Sequence, residues 1–224
     1  MNIKKMFVIL FGMVRSIPIN FKLFPLKVAL KFPIIISPFV KIKSLKGKVI
    51  IKNCNIETGM IRIGFGDIGI FDQVLSRSIL EIEGRIIFYG KAVIGHGSKI
   101  SVGKNGILEI GNNFTITAET FIICHKNIKF GANNLISWEN LFMDTDFHKI
   151  KNIEKNGTIN ISKEISTGDN VWFGCRNTIL KGSQISNNCV IGSNSLINKK
   201  FYKDNILIAG NPAKILKENI VWEQ

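Results

Sequence analysis

Over long stretches of this chain every sixth residue is apolar, and that period limits the possible folds more than any other feature. Ile82, Phe88, Ile94 and Ile100 share one phase. The phase slips near residues 103–106 and resumes at Ile110, Ile116, Ile122 and Ile128. It slips by two residues to Phe130 and holds at Ile136 and Phe142. After a break it runs from Thr167 through Phe173, Ile179, Ile185 and Ile191 to Ile197. Six is neither the 3.6 of a helix nor the alternation of a simple strand. It predicts an all-β fold, a parallel β-helix in which three hexads close one triangular turn. Gly and Asn recur where sharp corners need unusual backbone conformations. The expected prism covers residues 49–200, with a loop insertion at 149–166. Its ends expose unpaired strand edges, which need covers. Residues 1–48 and 201–224 are the expected covers, an irregular N-terminal cap and a short C-terminal tail.

The cap carries most of the charge. Residues 1–52 hold eleven Lys and Arg, Lys4 and Lys5 among them, and no acid before Glu57, out of a net charge of +14. Such a surface suits an anionic partner, either a membrane or a cosubstrate. No nucleic-acid motif accompanies it. The apolar run 6–14 has nine residues, too short to span a bilayer. No small-residue cleavage site follows it. Pro18, Pro25, Pro33 and Pro38 argue against a long helix. A broken, basic lead-in is expected, either packed on the prism or also touching the inner face of an anionic membrane. Cys54, Cys124, Cys175 and Cys189 form no Cys-x-x-Cys pair, which fits a cytoplasmic, reducing location and not a zinc ribbon.

Three stretches resemble the hexapeptide-repeat acyltransferases: Val171-Trp172-Phe173-Gly174, Ile191-Gly192-Ser193-Asn194-Ser195 and Ala209-Gly210-Asn211-Pro212-Ala213-Lys214. The likeness covers roughly residues 80–217. Ser137-Trp138 together with residues 143–148 is most similar to the sugar and polysaccharide O-acetyltransferase branch. The resemblance implies a left-handed coil, a homotrimer and acetyl-CoA as cosubstrate, with no metal.

Transfer of an acyl group to an alcohol needs a base, and imidazole suits that work near neutral pH. Of the three histidines, His96 and His125 fall within coils, whereas His148 opens the one long break, where a scaffold usually carries its site. The family's catalytic histidine lies at this place. Asp146, and less so Asp144, could orient His148; both could equally cap corner amides. A metal reading of Asp-x-Asp-x-His is poor, because no second histidine is near. By resemblance, Trp172 lies beside the thioester and acceptor, and Asn140 and Trp138 reach the acceptor with Asp144. Gly174, Cys175, Gly192 and Ser193 line the pantetheine arm, and Lys199, Lys214 and Lys217 meet phosphates. A backbone amide at Gly174 or Cys175 is the expected oxyanion donor. The reading is a cytoplasmic acetyl-CoA-dependent O-acetyltransferase acting on a glycan or polysaccharide precursor. N-acetylation of an amino sugar, or a non-catalytic β-helix module, are the alternatives.

Overall fold

A computed structural model describes residues 3–66, 68–72, 75–154 and 157–223, with side chains from residue 6 onward. The side chains of Lys4 and Lys5 therefore lie outside the described residues. The chain winds as a left-handed β-helix of three sheets with nine, seven and seven strands, parallel except for the last strand of the first. The first coil comprises Ile34–Ile36, Lys41–Leu45 and Lys48–Ile51. The fifth comprises Leu135–Ile136, Leu141–Met143 and Ile165–Thr167. Each strand pairs in parallel with the strand one coil away, as Leu135 does with Trp172. We call the bend from first to second sheet the first corner, from second to third the second corner, and from third back to first the third corner.

The hexad residues point inward. Ile110, Ile116, Ile122, Ile136, Phe142, Phe173, Ile179, Ile191 and Ile197 are fully buried. Phe114, Phe130, Phe142 and Phe173 follow one another at centroid separations of 4.9, 5.0 and 5.2 Å. Aromatic pairs at such distances contribute about 0.5–1.5 kcal/mol each beyond area burial. The corners are held by repeated side chains. At the third, Asn113, Asn133, Asn170, Asn188 and Asn205 all take positive φ between 55° and 58°. Asn tolerates that region better than other side chains.

The prism starts earlier than the sequence period suggested, because the first two strands of its first coil, Ile34–Ile36 and Lys41–Leu45, lie within the segment expected to be irregular. The cap itself also differs. Residues Ile3–Leu23 form a 21-residue helix, α1, that runs through Pro18. Pro18 is exposed, so the carbonyl that loses its helical partner there faces outward. Gly12, Ser16, Ile19 and Asn20 form the buried stripe. Gly12 is needed for the approach, since a Cβ there would stand 2.6 Å from the Ile36 carbonyl oxygen. The polar side chains of this stripe replace a missing strand. Asn20 Nδ2 donates to the Ile34 carbonyl at 2.8 Å, and the Ile34 amide donates to Asn20 Oδ1 at 3.1 Å. The Ile36 amide donates to Ser16 Oγ at 2.8 Å, and Arg15 reaches the carbonyls of Pro38 and Val40. The stretch Met6–Leu23 is also long and apolar enough to cross a membrane, which corrects the nine-residue count. Its outer side exposes Phe7, Leu10, Phe11, Val14 and Phe21.

At the other end, Ile206–Ala209 pairs in parallel with the seventh coil, and Lys214–Glu218 folds back antiparallel upon it. The Gly210-Asn211-Pro212-Ala213 turn joins the two.

Candidate active site

The expected site residues fall on two corners. The second corner of the fifth coil opens into the loop 144–164. Asp144 is fully buried at its start. Its two oxygens accept the amides of His125 at 2.7 Å and Lys126 at 2.8 Å, the corner of the coil before. Asp146 accepts Asn160 Nδ2 at 2.8 Å and pairs with Lys181 on the next coil. Hydrogen bonding to Lys181, then to Asn160, holds its carboxyl below the ordinary carboxylate range. Asn160 also donates to the His148 carbonyl at 2.8 Å and accepts the Ile150 amide at 2.7 Å. The backbone on both sides of His148 is thereby fixed, while its imidazole is exposed and has no hydrogen-bond partner among the described residues. The preceding residue, Phe147, takes φ 60°, an uncommon value for a bulky side chain. Its ring packs edge-on against His125, with centroids 4.8 Å apart.

Near the first corner, Trp172 is 37% exposed, with Nε1 donating to Ser137 Oγ at 3.2 Å. Trp222, from the tail, lies 6.0 Å away in a tilted arrangement and donates to the Asn170 carbonyl at 2.8 Å. Trp138, Gly174, Cys175, Gly192 and Ser193 share this corner over three successive coils. The Cys175 amide and thiol both lie on Ser193 Oγ, at 3.2 and 3.4 Å. Lys199 is on the second corner. Lys214 and Lys217 are exposed on the terminal strand, and none of these three is ion-paired among the described residues.

Several expectations need correction. Asn140 is fully buried; it donates to the Ser137 carbonyl at 2.8 Å and accepts the Asn177 amide at 3.0 Å. It belongs to a ladder of corner side chains, continued by Asn177 and Ser195, and does not face an acceptor. Asp144 is likewise consumed by backbone amides. The Asp146 carboxylate meets Lys181 and Asn160, not the imidazole, so it holds the loop rather than the ring. The Gly174 amide is committed to the Ile191 carbonyl at 2.8 Å, whereas the Cys175 amide meets only the side-chain Ser193 Oγ at 3.2 Å. Sequence reasoning also passed over Asn160, Lys181 and Trp222, and gave Ser137 no role at the site. The two lysine and asparagine contacts span 14 to 35 residues and leave no local pattern.

His148 and Trp172 thus stand on different corners of one prism. His96 is buried and packs against Phe71. All four cysteines are free, and burial pushes the Cys124 and Cys189 thiols up, away from nucleophile behaviour. Among the described residues no group of three or more His, Cys, Asp or Glu could hold a metal ion.

No protein-family model matches the chain. Individual proteins do. An uncharacterised 24.8 kDa protein of the Klebsiella pneumoniae cps region is 32% identical over 210 residues, 92% of this chain and 89% of that one. The polysialic acid O-acetyltransferase of Neisseria meningitidis is 33% identical over 175 residues, 76% of this chain and 72% of that enzyme. The chain belongs to the hexapeptide-repeat acyltransferases. Within them it falls in the sugar and polysaccharide O-acetyltransferase branch. The galactoside O-acetyltransferase of Escherichia coli is 32% identical over 119 residues, 53% of this chain and 56% of that enzyme. A hexapeptide-repeat acetyltransferase of Vibrio cholerae, solved with acetyl coenzyme A, has the same fold at a TM-score of 0.50 and 22% identity, over 59% of this chain and 70% of that one. As a hexapeptide-repeat acyltransferase, this protein is an enzyme of sugar or glycan acylation.

Proposed function

We propose that the protein is a cytoplasmic O-acetyltransferase that moves an acetyl group from acetyl-CoA to a hydroxyl of a glycan or polysaccharide precursor. The observation that carries this reading is the imidazole of His148, exposed and without a hydrogen-bond partner among the described residues, on a backbone fixed from both sides. A general base needs both properties: freedom to meet the acceptor, and a fixed position when it does. In the reaction the acceptor oxygen forms a bond to the acetyl carbon, the carbon–sulfur bond breaks, and His148 carries the hydroxyl proton to the departing thiolate. Asp146 is then a positioning residue, acting through the loop. The Cys175 amide, at an exposed corner, is available to the developing oxyanion once it leaves Ser193 Oγ.

The cosubstrate fits the residues present. Lys199, Lys214 and Lys217 offer unpaired cations toward the C-terminal end, suited to phosphate as point charges. Trp172 offers an apolar face, and the first corner is narrow over Gly174 and Gly192, where a Cβ would stand 2.8 Å from Ser193 Oγ and from Ala209 Cβ respectively. Because His148 and Trp172 occupy different corners, one prism holds half of such a site. A homotrimer in which the second corner of one subunit faces the first corner of the next supplies both halves. The apolar outer side of α1, with Lys22, Lys27 and Lys31 nearby, suits contact with an anionic membrane.

The test is transfer from labelled acetyl-CoA to candidate glycans, followed by mild alkali. Label released by alkali marks an ester and supports O-acetylation. Label that survives marks an amide and replaces the reading with N-acetylation. No transfer to any sugar, with acetyl-CoA bound, would favour a binding module.

A further inference from the structure

The second corner carries a feature that the acyl-transfer reading does not use. Over the first three coils it turns through Lys46-Gly47, Glu83-Gly84 and residues 103–106. Here Lys46, Lys48, Arg85 and Lys104 border a concavity of about 410 Å³, and Glu83 is the one acid in its wall. The floor is backbone. A Cβ on Gly47 would stand 2.1 Å from the Gly84 carbonyl oxygen, and one on Gly84 would stand 2.3 Å from that of Gly103. Neither glycine takes a positive φ, so close packing of the coils requires them, not conformation. The result is a furrow with no side chains along its bed and cations along its rims.

Lys48 and Arg85 are register partners on adjacent parallel strands. Like charges placed opposite one another destabilise a sheet. Among the described residues none of the four cations is ion-paired. Nearby carboxylates are committed elsewhere. Glu81 pairs with Lys43 at 2.8 Å and accepts Ser101 Oγ at 2.7 Å, and Glu109 accepts the Tyr89 hydroxyl at 2.6 Å. Among the described residues four cations thus share one wall carboxylate, Glu83, an excess of positive charge that an anionic ligand would relieve.

The furrow points at the candidate base. Beyond Gly103 the same corner passes His125, whose ring would stand 2.8 Å from a Cβ at Gly103. His125 in turn packs on Phe147, the residue before His148. From the first coil to the fifth there are four steps of about 4.8 Å, or ~19 Å in all. That span suits an extended chain of several sugar units better than one small anion.

We propose that this furrow is an acceptor subsite, holding the acidic groups of an anionic glycan while a hydroxyl farther along reaches His148. The proposal rests on the acyl-transfer reading, which assigns the cosubstrate to the C-terminal side of His148 and leaves this side to the acceptor. Binding, and not turnover, tests it. Fluorescently labelled galacturonate oligomers, with labelled dextran as neutral control, are titrated at low salt into the 224-residue chain and into its Lys48→Gln/Arg85→Gln variant. The protein is expected to bind galacturonate and not dextran, with affinity about tenfold weaker in the variant. Acetyl-CoA affinity should be equal in both, and the variant should melt no lower, because it loses a repulsive pair. Lys104→Gln, on an exposed turn, should weaken binding in the same direction should the double variant misfold. Absent binding, or equal galacturonate affinity in protein and variants, overturns the proposal. So does a parallel loss of acetyl-CoA affinity, which would make the furrow part of the donor site. An inactive enzyme leaves this result unaffected, so the two readings fail separately.

Discussion

Lys181 and Asp146 close the long loop onto the coil that follows it: the ammonium of one pairs with the carboxylate of the other, two residues before His148. The folded carboxyl of Asp146 is held below its unfolded value. The pairing therefore stabilises the loop above the unfolded pKa, ordinarily about 4, and that contribution is lost as pH falls through the lower, folded value. Amide protection in 144–164, taken relative to intrinsic exchange at each pH, should fall in acid while the prism amides remain protected. Asp146→Asn should bring fast loop exchange at neutral pH. A loop equally protected at both pH values in the wild-type chain would dismiss the pairing as its fastener.

His148→Ala should lower turnover by about 10² to 10⁴ and leave the melting temperature nearly unchanged, since the side chain is exposed and unbonded. Steady-state assays with the best acceptor decide it. Activity close to that of the wild type would take His148 out of the mechanism.

The separation of His148 and Trp172 on one prism predicts complementation. His148→Ala and Trp172→Ala should each be weakly active alone. Coexpressed, they should form hybrid trimers in which some interfaces combine an intact histidine from one subunit with an intact tryptophan from the next. Recovered activity in mixed but not in separate preparations is the expected outcome. A fully active monomer by sedimentation would contradict the shared site.

Asn20→Ala leaves the buried amide and carbonyl of Ile34 without their side-chain partners. Each such group costs about 1–3 kcal/mol, so a loss of roughly 2–6 kcal/mol is expected in urea unfolding. Unchanged stability would mean that α1 does not cap the first coil in solution.

The outer side of α1 predicts binding to anionic liposomes at low salt, with release at about 0.5 M salt where screening is short-ranged, if the helix lies on the surface. Retention through a carbonate wash would show insertion instead. Failure to bind at any salt would leave α1 as a cap alone.

Much of this was legible from the sequence. Every hexad position from Ile110 to Ile197 named by period alone is buried, because one inward residue per face is what the prism demands. The buried roles of Asn140 and Asp144 were harder to see. Yet Asn134, Asn140 and Asn177 each precede an inward residue, Ile136, Phe142 and Ile179, by two, and that shared phase marks a structural ladder. The helix was missed because four prolines were weighed equally. Pro18 sits on the outer side, where its missing amide costs little, and the stripe Gly12, Ser16, Ile19 and Asn20 keeps helical spacing through it. The contacts of Asn160, Lys181 and Trp222 depend on how distant coils stack, which no local pattern records.

The two ends of the prism are closed by unlike means. At one, side chains of α1 occupy the hydrogen bonds that another coil would seek. At the other, an antiparallel strand carrying Lys214 and Lys217 turns its charged edge outward. Both covers lie on the first sheet, where they interrupt the parallel ladder that a second prism would continue. An assembly that leaves both covers in place packs prisms side by side, and when such packing runs about a common axis it closes at a finite size instead of running on as a fibre.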